Sequence, residues 1–136
     1  MVTVREIAED VRMWAEVLQE KAKRWSGDLC GMCAIASLEL AHRLSRHGYD
    51  PVLAITEWHC FVLVHDCEWV VDITATQFGD DEVVIRPWRD SNGWHWNYQK
   101  PSLVRDLSHA SICRAFEKWN EGDQHPIMYR EGLSCS

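Results

Sequence analysis

Apolar positions near the start of the chain recur at helical spacing. Val4, Ile7, Val11, Trp14, Leu18, Ala22 and Trp25 fall at three- and four-residue steps, the stripe of one amphipathic helix. Thr3 followed by Glu6 is a capping box at its start, and Ser26-Gly27-Asp28 breaks the pattern. A second helix is predicted from about Gly31 to His47, because "CAIASLELAHRLSR" is rich in Ala and Leu and contains neither Gly nor Pro. Gly48 supplies its C-terminal cap. After "GYDP" the period shortens. "VLAITE", "HCFVLVHD" and "EWVVDI" are rich in β-branched and aromatic residues and read as strands. The last two form a hairpin through His65-Asp66-Cys67. "EVVIRP" reads as a fourth strand, ended by Pro87, and "WRDSNGWHWNYQKP" as a loop. Ser108 to Trp119 reads as a third helix, and the stretch beyond Gly122 carries no periodic signal. The order helix, helix, strands, helix predicts an α+β fold with an antiparallel sheet.

Composition narrows what such a fold does. The 136 residues suit one domain spanning 1–136 with a single core. Fourteen basic against twenty-one acidic residues leave a net charge of −7, with Lys and Arg scattered. That argues against nucleic acid or an anionic membrane as a partner. "MVTVREIAEDVRMWAEVLQEKAKRW" is charged throughout and lacks the apolar segment of a signal peptide. The expectation is a cytoplasmic protein whose six cysteines are reduced.

Reduced cysteines raise the questions of metal and of nucleophile. "LCGMC" contains a C-x-x-C. A thioredoxin-like redox pair needs a buried strand immediately before the motif, and here a helix and a polar turn precede it. A zinc site would draw on Cys30 and Cys33, with further ligands from His59, Cys60, His65 and Cys67. In the hairpin, however, Cys60 points to the face opposite His59, His65 and Cys67. The third reading places Cys33 in the first turn of the second helix. Unpaired backbone N–H groups and the helix dipole favour a thiolate there. An adjacent imidazole then serves as acid and base, and a carboxylate on its other nitrogen fixes the tautomer. With the hairpin turn centred on His65-Asp66, His59 and Asp72 face each other on neighbouring strands, about 5 Å apart at Cβ. Each poor strand former thereby accounts for the other.

These residues carry a family resemblance. "GMCAIASLELAHRLSRHGYDPVLAI" resembles the nucleophile segment of the transglutaminase-like branch of the papain fold: a Gly-x-Cys opening a helix, a later glycine, then a strand. Gly31, Cys33 and Gly48 fall in register. "HCFVLVHDCEWVVDITATQF" resembles the family's later segment, through His59, Trp69, Asp72 and Thr74. The resemblance covers residues 31 to 78. Ile73 stands where the family usually has proline, and Cys60-Phe61 replaces the commoner Ala-Trp. The resemblance implies a papain/transglutaminase-like core, with the nucleophile at a helix N-terminus packed on the sheet. It also implies a Cys33–His59–Asp72 triad that attacks a protein or peptide amide through a thioester, with no metal or organic cofactor. Hydrolysis, deamidation and acyl transfer all remain open.

Several other residues invite a role. Gln77 has an amide that could line the site or donate to an oxyanion, or it is simply a strand-end residue beside Phe78. A second oxyanion donor to join the Cys33 N–H is not evident. The loop bearing Trp88, Trp94, Trp96 and Tyr98 is either a flap over the sheet or a surface that lines a substrate or partner site. Trp94 and Trp96 are the substrate-binding candidates. Cys60 and Cys113 are expected to be packing residues, and His65 a solvated turn residue. The alternatives to an enzyme are a non-catalytic module of the same fold that binds protein through the Trp-rich loop, and a zinc-stabilised domain.

Overall fold

The structure is a computed structural model that describes residues 2–22, 32–57, 59–89 and 98–117. These form three α-helices, a short 3-10 turn and a five-stranded antiparallel sheet. Helix α1 spans Val4–Ala22 and α2 spans Cys33–Arg46. The strands are β1 (Val52–Ile55), β2 (Cys60–Val64), β3 (Trp69–Asp72), β4 (Val84–Pro87) and β5 (Ser102–Val104). The 3-10 turn, Ala75–Phe78, lies between β3 and β4, and helix α3 (His109–Ala115) follows β5. The strand order is β4-β3-β2-β1-β5, so β2 sits at the centre.

Local signals explain the helix ends. The Thr3 hydroxyl accepts from the Glu6 backbone N–H at 3.1 Å, as the capping box requires. Past α2, the chain turns at Gly48 with φ +87°, a left-handed conformation that glycine adopts without a Cβ penalty. The two helices pack against each other. Tyr49, just beyond α2, donates its hydroxyl to the Val2 carbonyl at 2.6 Å, and the Arg43 guanidinium lies 5.9 Å over the Trp14 ring.

The helices cover one face of the sheet. Ile7, Ala8, Val11 and Ala15 of α1 and Leu40, Ala41 and Leu44 of α2 pack with Leu53, Cys60, Val62 and Val71. Ile112 and Phe116 from the α3 region close the same core. The opposite face carries a smaller cluster of Val52, Ala54, Phe61, Leu63, Val70 and Tyr98. With both faces covered, β1 and β2 are buried along their whole length, which accounts for their almost continuous apolar sequence.

The hairpin differs from the sequence expectation in register. Val64 pairs with Trp69, Leu63 with Val70 and Val62 with Val71, so the turn holds four residues, 65–68. His65, Asp66 and Cys67 all take positive φ, at 55°, 58° and 64°. Three successive non-glycine residues in that region is an expensive turn, at roughly 1–2 kcal/mol per residue. His59 and Asp72 are therefore diagonal rather than directly opposed. Strand side chains alternate with period two, so this two-residue displacement leaves both on the same face.

Three further differences concern element boundaries. Helix α3 is shorter than expected, β5 falls in a stretch read as connection, and the 3-10 turn occupies residues read as a strand end. Cys113 is half-buried and disulfide-bonded, which corrects the expectation that it is a reduced packing residue. Cys33, Cys60 and Cys67 carry thiols outside any disulfide. Trp25, Cys30, Gly31, Trp94, Trp96 and the final stretch lie outside the described residues.

Candidate active site

His59 precedes β2 at the end of the sheet nearest the start of α2, and its backbone is clamped. Thr56 accepts the His59 N–H on its hydroxyl at 3.0 Å and donates its own N–H to the His59 carbonyl at 2.8 Å. The ring is completely buried. Phe61 stacks beside it at 5.8 Å between centroids, while Phe78 and Tyr98 approach edge-on at 4.8 and 5.1 Å. This aromatic collar fixes the imidazole plane and excludes water, which strengthens every polar contact inside it.

Asp72, at the end of β3, is equally buried, and four donors converge on its carboxylate. One oxygen, Oδ2, accepts from His59 Nε2 at 2.7 Å and from the Tyr98 hydroxyl at 2.5 Å. Oδ1 accepts from the Thr74 backbone N–H at 2.9 Å and from the Thr74 hydroxyl at 3.2 Å. Burial pushes the Asp72 pKa up, but the His59 charge and these hydrogen bonds outweigh it and hold the carboxyl below its ordinary value. Burial likewise works against the His59 imidazolium. The facing carboxylate reverses the outcome and, with an added contribution from Cys33, raises His59 to about 10.

Cys33 comes from the helix layer. It begins α2, is almost fully buried, and follows Met32, whose side chain makes no capping hydrogen bond. One turn later, the Ser37 hydroxyl donates to the Cys60 carbonyl at 2.9 Å. That buried bond pins the first turns of α2 to the residue that follows His59, so Cys33 and His59 are positioned by one helix–strand contact. The interaction of the Cys33 thiol with the imidazole is one cause of the raised His59 pKa. Nε2 is engaged by Asp72, and Nδ1 makes no conventional hydrogen bond, so Nδ1 is the nitrogen left to exchange a proton with Cys33. Nε2–H donating to a carboxylate is the tautomer that leaves an Nδ1 lone pair for that purpose.

The structure thus brings together the three residues expected to act as one unit. Cys60 lies on the helix side of β2. Its burial, then the charge of an ionised Cys33, push its thiol well above the usual cysteine range, as suits a packing residue. Gln77 does not project into the site, because its amide donates to the Thr74 carbonyl at 3.0 Å and the Thr74 hydroxyl at 3.3 Å. It braces the residue that braces Asp72. Arg12 had no role in the sequence reading. It is buried on α1 and donates to the Ile73 carbonyl at 2.8 Å and the Thr76 hydroxyl at 3.0 Å, fixing the turn just after Asp72. The hydroxyl of Tyr98 was likewise missed, because its contact with Asp72 spans 26 residues and leaves no local signal.

One other feature lies at the far end of the hairpin. A cleft of about 420 Å³ lined by Cys67, Glu68, Trp69, Pro87, Trp88 and Arg89 sits at the turn end of the hairpin, away from His59. Trp88 packs on Phe61 at 5.5 Å. Among the described residues no group of three or more His, Cys, Asp or Glu side chains could hold a metal ion, and no helix is long and apolar enough to cross a membrane. No protein-family model, curated protein or solved structure matches the chain.

Proposed function

We propose that this protein is a cysteine-dependent enzyme of the transglutaminase-like, papain-fold type, acting on an amide bond of a protein or peptide substrate. The observation that carries the reading is the buried His59 imidazole held between Asp72, at 2.7 Å, and the thiol that opens α2. In this reading the Cys33 sulfur attacks the amide carbon while His59 holds the thiol proton on Nδ1. The carbonyl oxygen takes the negative charge, and in this reading the Cys33 backbone N–H at the helix start donates to it. As the C–N bond breaks, His59 passes its proton to the departing amine and a thioester remains. Water then gives its proton to His59 and attacks the thioester carbon, the C–S bond breaks and the acid leaves. An amine in place of water makes the reaction an acyl transfer. Asp72 holds the ring and offsets its charge throughout.

We also place the protein in the cytoplasm. Disulfides are rare there, so the Cys113 disulfide is the feature to check, by mass spectrometry of protein alkylated at lysis without reductant.

The chemistry is tested by thiolate ultraviolet absorbance against pH, compared with Cys33→Ala and His59→Ala, alongside iodoacetamide alkylation read cysteine by cysteine. The expected result is a thiolate present below pH 7 that both substitutions remove, with Cys33 alkylated ahead of Cys60. If Cys33 ionises only in the ordinary thiol range, no activated pair exists, and a binding role for the fold takes the enzyme's place.

A further inference from the structure

We propose that Tyr98 is a fourth member of the site: a positioning residue whose hydroxyl shares the Oδ2 of Asp72 with His59 and thereby sets how tightly the carboxylate holds the imidazolium. The role rests on the Cys33–His59–Asp72 reading above, but its geometry stands alone. The Tyr98 hydroxyl lies 2.5 Å from Oδ2, the oxygen that also takes the His59 Nε2 bond at 2.7 Å. The residue is 4% exposed. Its ring meets His59 edge-on at 5.1 Å and Phe61 at 5.1 Å, so the phenol is held from the side as well as at its tip.

Two donors on one oxygen compete for its charge. A phenol that donates to Oδ2 draws electron density away from the His59 bond and leaves the carboxylate a weaker acceptor for the imidazolium. Tyr98 itself remains a donor throughout the accessible pH range, because burial and then the Asp72 charge push its pKa far above the ordinary tyrosine value. Among the described residues the titratable and charged groups around this cluster are Cys33 from α2, Cys60 from β2 and Asp72 from β3, with Asp80 and Arg86, earlier in the chain, acting on Tyr98. The phenol donates its proton to the one oxygen through which the carboxylate also governs the base.

An Oδ2 bonded to His59 alone should hold the imidazolium more strongly. Tyr98→Phe is therefore expected to raise the His59 pKa, by roughly 0.5 or more for one hydrogen bond to a charged group. The measurement is the imidazole nitrogen NMR titration of His59 in wild type, Tyr98→Phe and Cys33→Ala. A ring-fluorinated tyrosine at position 98, a stronger donor, is expected to move His59 the opposite way. Pure packing would not produce shifts of opposite sign, so coincident titrations, or two shifts of the same sign, overturn the proposal. Cys33→Ala separates the two claims: a His59 titration unmoved by losing the thiol removes the Cys–His pair, and the Tyr98 result is unaffected. Should Tyr98→Phe fail to fold, the fluorinated protein alone gives the deciding shift.

Discussion

Replacing Asp72 by asparagine exchanges one oxygen for an amide group of nearly the same size, and the four donors around the carboxylate decide what happens next. Asparagine offers a single acceptor oxygen. The Thr74 backbone N–H, which meets Oδ1 at 2.9 Å, can only donate, so the amide oxygen must stay on that side. The NH2 group then occupies the Oδ2 position and faces Tyr98 and His59. The Tyr98 hydroxyl can rotate and accept. His59 can accept only by moving its own proton to Nδ1, the nitrogen that faces Cys33 in the proposed pair. The substitution therefore yields the wrong tautomer, an Nδ1–H that cannot take a proton from the thiol.

Its charge state changes as well. Burial is the largest influence on His59 and lowers its pKa, and Asp72 is the main reason the value stands at about 10 instead. Without the carboxylate, His59 is expected at or below its ordinary 6.5. A fall of more than three in pKa is on the order of 5 kcal/mol in the stability of the imidazolium. At pH 8 the wild-type ring should be protonated and the Asp72→Asn ring neutral, with the ring proton on Nδ1. Imidazole nitrogen NMR distinguishes those states directly, and loss of the thiolate absorbance of Cys33 should accompany the change. An Asp72→Asn protein whose His59 is still charged at pH 8 refutes the assignment of Asp72 as the group that holds the charge.

The same pair makes folding stability depend on pH. The folded pKa of His59, about 10, exceeds its unfolded 6.5, so the stabilisation is complete below about pH 6.5 and is lost as pH rises towards 10. Asp72 is depressed in the fold, so its contribution is present above its ordinary value near 3.8 and disappears on further acidification. Urea unfolding of Cys33→Ala, which removes the opposing titration of the thiol, at pH 6, 8 and 10 should show a progressive loss on the order of 5 kcal/mol at most, and a flat profile there contradicts the His59–Asp72 pairing. Arg12→Ala removes the buried hydrogen bonds to the Ile73 carbonyl and the Thr76 hydroxyl, together with the half-exposed ion pair to Glu16. It is expected to cost about 2–3 kcal/mol and to lower the melting temperature by roughly 6–12 °C; a change under about 2 °C would show that the buried guanidinium does not anchor the turn.

Periodicity carried most of the fold. The stripe through Ile7, Val11 and Leu18 and the Ala- and Leu-rich segment after Cys33 give α1 and α2 within a few residues, because each helix buries one continuous face. The apolar runs around Val62 and Val71 give the central hairpin for the same reason. Register was less legible. Nothing in His65-Asp66-Cys67 announces three left-handed residues, a conformation normally left to glycine and asparagine, so a tighter turn was read there. β5 was invisible because three residues after Pro101 carry no period, and they become a strand only by pairing with β1. The candidate triad was legible because histidine and aspartate are conspicuous within apolar strands. Arg12 and Tyr98 were not, since a lone arginine on a charged helix and a tyrosine among tryptophans look ordinary until distant backbone and carboxylate groups come to meet them.

The four-residue hairpin turn bears on how this chain tolerates insertion and deletion. His59 and Asp72 meet because the two strands keep the same parity, not because they hold one particular register. The offset between them is set by the pairing of Val64 with Trp69 and not by how many residues close the turn. Residues added or removed within 65–68 leave the pair where it is, whereas a one-residue insertion inside β2 or β3, unless absorbed as a bulge, would turn one partner to the helix side of the sheet and leave the other buried without a counter-charge. Length variation between homologues should therefore gather at this loop, and a homologue with one residue inserted in either strand and no bulge should also have lost the histidine or the aspartate.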